Sequence, residues 1–134
     1  MSCPMAKASA SAAPSILLVD DEADILPEYK DFLELEGFNA HTCVNPEQAL
    51  DEVLGRPDVG LVITDLRMAK LDGISLIRQL RALIPAERKL EFIILTGDAT
   101  YQTSADLAHI PVLIKPTDAN ALILEIKAAL KRTE

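Results

Sequence analysis

The chain reads as an α/β domain built on a parallel sheet with helices on both faces, and three observations carry that reading. Short aliphatic runs recur along it, apolar positions three and four apart lie between them, and glycine or asparagine-proline punctuates the joints. Strand and helix alternate five times within 134 residues, which suits one domain with a single core rather than two.

The first strand is Ile16-Leu17-Leu18-Val19, a run with no polar alternation and therefore buried on both faces. Ile25, Tyr29, Phe32 and Leu33 then share one helical face. Proline is tolerated only in a helix's first turn, so Pro27 starts this helix no earlier than about Asp24, and Gly37 ends it. A weaker strand, Asn39 to Thr42, follows. Asn45-Pro46 supplies an N-cap with proline at the first helical position, and Gly55 closes that second helix. Leu61-Val62-Ile63 is the third strand, inside the longer apolar run from Val59 to Thr64. Ile74, Ile77 and Leu80 face one way on the next helix. Phe92-Ile93-Ile94-Leu95 and Val112-Leu113-Ile114 are the last two strands, and Leu122, Ile126 and Leu130 mark the final helix.

Residues 1–14 are rich in alanine and serine and lack the apolar block of a secretory signal, so they read as a flexible tail before a domain at 15–132. The composition is 49% hydrophobic but only 4% aromatic, which predicts an aliphatic core. A formal net charge of −8 disfavours nonspecific binding to nucleic acid or anionic lipid. Cys3 and Cys43 make neither a disulfide framework nor a metal knuckle, and a reducing, cytoplasmic setting is the default. No apolar stretch is long enough to span a bilayer.

The chemistry lies at strand ends. Asp20 and Asp21 close the first strand, Asp65 the third, Thr96 follows the fourth and Lys115 the fifth. In a parallel sheet the loops after the strands gather at one edge, so these five residues should meet. Carboxylates can hold a hard cation such as Mg²⁺, one of them can attack phosphorus, and a hydroxyl and an ammonium can neutralise phosphoryl oxygens. Each residue also has a plain reading alone. An Asp-Asp pair can cap a helix, Asp65 a turn, Thr96-Gly97 is a common turn and Lys115-Pro116 a common surface dipeptide. Their order and shared placement carry the weight.

With Leu17-Leu18-Val19-Asp20-Asp21-Glu22, Val62-Ile63-Thr64-Asp65-Leu66-Arg67-Met68, Asp72-Gly73, Leu95-Thr96-Gly97 and Ile114-Lys115-Pro116, the chain resembles the receiver domain of two-component response regulators from about Ser15 to Lys131. The resemblance implies a flavodoxin-like (βα)5 three-layer sandwich with a five-stranded parallel sheet of order 2-1-3-4-5. It implies that Asp65 accepts a phosphoryl group from a phosphohistidine on a sensor histidine kinase or histidine phosphotransfer protein. Asp21 and Asp65 would ligate Mg²⁺, Asp20 would act through a metal-bound water, and the Arg67 backbone carbonyl would complete the protein ligands. Thr96 and Lys115 would contact the phosphoryl oxygens, and the peptide before Pro116 would be cis. The module would be a signalling phosphoacceptor rather than a turnover enzyme. Its downstream partner is not named by the sequence, neither nucleic acid nor membrane is expected to bind this chain directly, and a homodimer is left open.

The chain departs from the family pattern in places. Val112 stands where an aromatic is usual, three positions before Lys115, so the usual aromatic readout is in doubt. Only nineteen positions separate Thr96 from Lys115, so the fourth helix, between the fourth and fifth strands, is expected to be short or irregular. Ala69 replaces a frequent proline and would loosen the loop after Asp65. Arg67 either leans over the phosphorylation site or is simply solvated. Tyr101 is an ordinary half-buried residue or a stand-in for the missing aromatic, and Met68 packs beneath the loop. His41 and His109 have no partner at ligand spacing. The acidic residues of the first helix, Glu28, Asp31, Glu34 and Glu36, are a solvated face or a kinase-docking one.

Three rivals remain. An aspartate-nucleophile phosphohydrolase would carry a second Asp where Arg67 stands. A flavin-binding protein would need a phosphate loop where Asp20, Asp21 and Glu22 would repel phosphate. A pseudo-receiver would work by constitutive docking, and only the unusual segment from Asp98 to Pro111 speaks for it. No output domain is expected within the chain, which would be a free single-domain regulator or an excised segment.

Overall fold

A computed structural model describes residues 14–68 and 70–133. The expected tail, Cys3 within it, and Ala69 lie outside the described residues. Strands β1 (Ser15–Val19), β2 (Ala40–Cys43), β3 (Val59–Asp65), β4 (Glu91–Thr96) and β5 (Val112–Ile114) form one parallel sheet of order β2-β1-β3-β4-β5. Helices α1 (Leu26–Leu35), α2 (Pro46–Gly55), α3 (Gly73–Leu83) and α4 (Ala119–Arg132) cover its two faces. The flavodoxin-like (βα)5 expectation, order included, is what is found. No helix among the described residues is long and apolar enough to cross a membrane.

The aliphatic runs explain the layers, because successive strand residues point to opposite faces. Leu17, Val19, Val62, Phe92 and Ile94 pack with Ala49 and Val53 of α2 and Leu76, Ile77 and Leu80 of α3. Ile16, Leu18, Leu61, Ile63, Ile93 and Leu95 pack with Leu26 and Leu33 of α1 and Leu122 and Ile126 of α4. Each such aliphatic side chain contributes roughly 1.5–3 kcal/mol by leaving water.

Helix ends follow local chemistry. The Asn45 side chain accepts from the Glu47 N–H at 2.9 Å, and Asp72 and Asp118 cap α3 and α4 in the same manner. Gly37, at φ +94°, takes the left-handed turn that ends α1. Leu26 rather than Ile25 begins α1, since Ile25 is its N-cap residue and Pro27 occupies its first turn. The second strand runs one residue later than expected, ending at buried Cys43.

Between β4 and β5 the only helix is a single 3-10 turn, Ala105–Leu107, in keeping with the expected short or irregular element. Side chains of α3 hold this segment. Arg78 grips the Asp106 carboxylate at 3.1 Å and the Ser104 hydroxyl at 3.1 Å, and Arg81 donates to the Asp106 carbonyl at 3.0 Å and meets the His109 ring. Leu107 and Ile110 fill the core behind it, with Tyr101 and Val112 packed half-buried against the same cluster.

Candidate functional site

β1, β3, β4 and β5 all end at one edge, and their end residues meet there. Asp20, directly after β1, is 5% exposed, fixed by the Glu22 N–H on Oδ1 at 2.9 Å. Asp21 beside it is exposed. Asp65, last in β3, is half-buried and accepts from the Leu66 N–H at 2.8 Å. One carboxylate oxygen from each of these three aspartates lies within 4.8 Å of the others. Neither His41 nor His109 belongs to this group. His41 lies in β2 opposite Leu17, and His109 contacts Arg81.

Lys115 enters from the end of β5, where its backbone N–H is tied to the Thr96 carbonyl at 2.7 Å. Its Nζ is 2.9 Å from Asp20 Oδ2 and 3.8 Å from Asp65 Oδ2. The Lys115–Pro116 peptide is cis, as the resemblance implies. Burial lowers the pKa of the Lys115 ammonium, yet the hydrogen bond and charge of Asp20, with that of Asp65, outweigh it and the net shift is upward. Asp65 is pushed above the usual carboxylate range, first by burial and then by Asp20 and Asp21, against the pull of Lys115 and the Leu66 N–H. A carboxyl strained in this way gains from a nearby cation.

Thr96 is buried at the end of β4, and its Oγ1 accepts from the Asp98 N–H at 3.0 Å. Gly73 explains the Asp72-Gly73 pair. Its N–H donates to the Leu66 carbonyl at 2.8 Å, and a Cβ there would lie 2.3 Å from the Asp65 carbonyl oxygen. Only glycine lets α3 start this close to the loop that carries Asp65. Met68 packs half-buried against the core cluster below.

Arg67, two residues past Asp65, pairs with Asp98, Nη2 to Oδ2 at 2.5 Å. Asp98 is thus the site neighbour that sequence reasoning missed. Its signal was symmetry: Arg67 stands two residues past Asp65, and Asp98 two past Thr96, in the loops after adjacent strands. Hydrogen bonds from Thr100 and Arg67 hold its carboxyl down at about 2.

A profile for the response regulator receiver domain matches residues 16–127. The C4-dicarboxylate transport transcriptional regulatory protein DctD of Rhizobium meliloti is 34% identical over 89% of this chain and 26% of its own length. A response regulator receiver domain protein of Clostridium thermocellum superposes with a TM-score of 0.78 at 31% identity, covering 89% of this chain and 95% of that one. The response regulator TrrA of Thermotoga maritima, solved in complex with Mg(2+)-BeF, gives 0.76 at 26% identity over 87% and 98%. The chain spans about a quarter to a half of the length of the curated relatives it matches. With the sheet order, the aspartate cluster and the cis Lys115–Pro116 bond already in place, this match makes the chain a member of the response regulator receiver domain family.

Proposed function

We propose that the chain is a phosphorelay module in which Asp65 takes a phosphoryl group from a phosphohistidine of a sensor histidine kinase or histidine phosphotransfer protein, and so switches a downstream partner. The observation that carries this reading is the gathering of Asp20, Asp21 and Asp65 oxygens within 4.8 Å beside the Lys115 ammonium. Three carboxylates offer only hard oxygen donors, a set that fits Mg²⁺, and the Mg(2+)-BeF complex of the Thermotoga relative supports the same ion here. Asp21, Asp65 and the Arg67 carbonyl would hold it, with Asp20 one step behind. When bound, the cation screens the phosphoryl oxygens from the surrounding carboxylates.

An Asp65 carboxylate oxygen forms the new bond to phosphorus as the donor's phosphorus–nitrogen bond breaks, and the imidazole leaves with that electron pair. Lys115, already held between Asp20 and Asp65, neutralises charge on the transferred group, and the Thr96 hydroxyl donates to one of its oxygens. The residues act on their own Asp65, so the module is a signalling phosphoacceptor and not a turnover enzyme. The folding unit is 15–132, and the acidic surface goes with a protein partner rather than direct contact with nucleic acid or membrane.

Intact-protein mass after incubation with acetyl phosphate or phosphoramidate, with Mg²⁺ or with excess chelator, tests this reading. One phosphoryl increment that requires Mg²⁺ is expected. An increment that survives chelation, or none from either donor, contradicts it.

A further inference from the structure

We propose that Asp98 is a positioning residue for the phosphoryl site: its carboxylate holds the Arg67 guanidinium in the resting protein and yields it to an incoming phosphoryl group. The inference rests on the phosphoacceptor reading of Asp65 and adds a residue that reading does not use. Arg67 and Asp98 leave the adjacent strands β3 and β4, which are in register at Asp65 and Leu95, so their 2.5 Å contact joins the two loops that flank Asp65.

The two partners are not equally fixed. The Arg67 side chain is 75% exposed, whereas that of Asp98 is 19% exposed and bound on several sides. Asp98 Oδ1 accepts from the Thr100 N–H at 3.0 Å and the Thr100 hydroxyl at 2.5 Å, and its own N–H donates to Thr96 Oγ1. Asp98 is therefore the anchor and Arg67 the arm that can swing.

A guanidinium binds carboxylate and phosphate through the same planar fork. A phosphoryl group on Asp65 brings more negative charge than the single carboxylate of Asp98, so it is the stronger attractor. The exchange keeps Arg67 paired in both states. It also means that Asp98 competes with the phosphoryl donor for Arg67, and the resting protein accepts phosphate more slowly than it would with Arg67 released.

The test is the rate of phosphoryl uptake from acetyl phosphate at saturating Mg²⁺, followed by intact mass, for wild type, Asp98→Asn, Arg67→Gln and the double variant. Asparagine keeps the Oδ1 that Thr100 needs and replaces Oδ2, the acceptor that Arg67 uses, with an amide nitrogen. Asp98→Asn should speed uptake about two- to fivefold, the range an exposed ion pair commands. That gain should vanish in the Arg67→Gln background, and Asp98→Glu should restore the wild-type rate. An unchanged rate in Asp98→Asn, or an equal gain without Arg67, which would report net charge alone, overturns the inference. Uptake by wild type with either of those results overturns it while leaving the phosphoacceptor reading in place. No uptake even by wild type overturns both.

Discussion

Lys115 sits unevenly between two carboxylates, 2.9 Å from Asp20 and 3.8 Å from Asp65, and so it is the resident counter-charge of the aspartate cluster. Removing it has opposite effects on two quantities. Lys115→Gln leaves Asp20 and Asp65 to repel each other at a half-buried edge, which should cost about 1–3 kcal/mol of metal-free stability in urea denaturation. The same change removes a positive charge that repels a dication, so Mg²⁺ affinity measured by calorimetry should rise. An affinity that falls would mean Lys115 orders the carboxylates more than it competes with the ion. Asp98 offers a pH prediction with a definite sign. Its folded pKa, about 2, lies below the ordinary value of 3.8. The stability it contributes is therefore complete above the ordinary value and lost as pH falls towards 2. Carboxyl chemical shifts should show Asp98 titrating near the lower value, and Asp98→Asn should flatten that part of the acid-denaturation curve.

At the scale of elements, α3 and the loop after Asp65 are pressed together at Gly73. Gly73→Ala places a Cβ 2.3 Å from a backbone oxygen, so backbone must move, at a cost of about 1–3 kcal/mol typical of overpacking. The shift should appear in the amide resonances of Asp65 and Leu66 before any others, while an unperturbed loop would contradict the close approach. At the opposite edge Arg88 donates to the carbonyls of Val53, Arg56 and Val59 at 2.7, 2.8 and 3.1 Å, tying the end of α2 to the start of β3. Arg88→Ala removes these three donated bonds, although the Arg56 and Val59 N–H groups still reach the Val53 and Arg56 carbonyls, and should cost about 1–3 kcal/mol in the same denaturation assay.

These elements differ in how far the sequence revealed them. β5 falls on Val112–Ile114 as read, and β3 and β4 are longer by flanking residues, because continuous aliphatic runs bounded by polar ends admit one placement. The short, irregular helix between β4 and β5, a single 3-10 turn, was legible from the short spacing of Thr96 and Lys115. The means that hold that segment were not. Arg78 and Asp106 are 28 positions apart, and Arg67 and Asp98 are 31 apart. Apolar periodicity says where an element lies but not which distant side chain an exposed arginine will meet. Val112 and Tyr101 both pack half-buried against one core cluster, which is the plain half-buried placement the sequence allowed for Tyr101.

For the whole molecule, one topology does the work of assembly. Parallel strands in the order β2-β1-β3-β4-β5 send every strand end to the same edge, so residues 95 positions apart, Asp20 and Lys115, come within 2.9 Å. Two aliphatic layers, one on each face of the sheet, pack behind that edge. The site was readable before the fold was seen because it uses only strand-end residues, whose convergence follows from parallel order alone. The central claim is that Asp65 is the residue on which the molecule's chemistry happens. Its most direct test is peptide mapping of wild type and Asp65→Asn after incubation with Mg²⁺ and acetyl phosphate, with the acyl phosphate trapped by hydroxylamine. The account predicts a single hydroxamate, left where hydroxylamine has displaced phosphate, on the peptide carrying Asp65 in wild type and none in a folded Asp65→Asn. Equal labelling of the variant, or a label on another peptide, would contradict it.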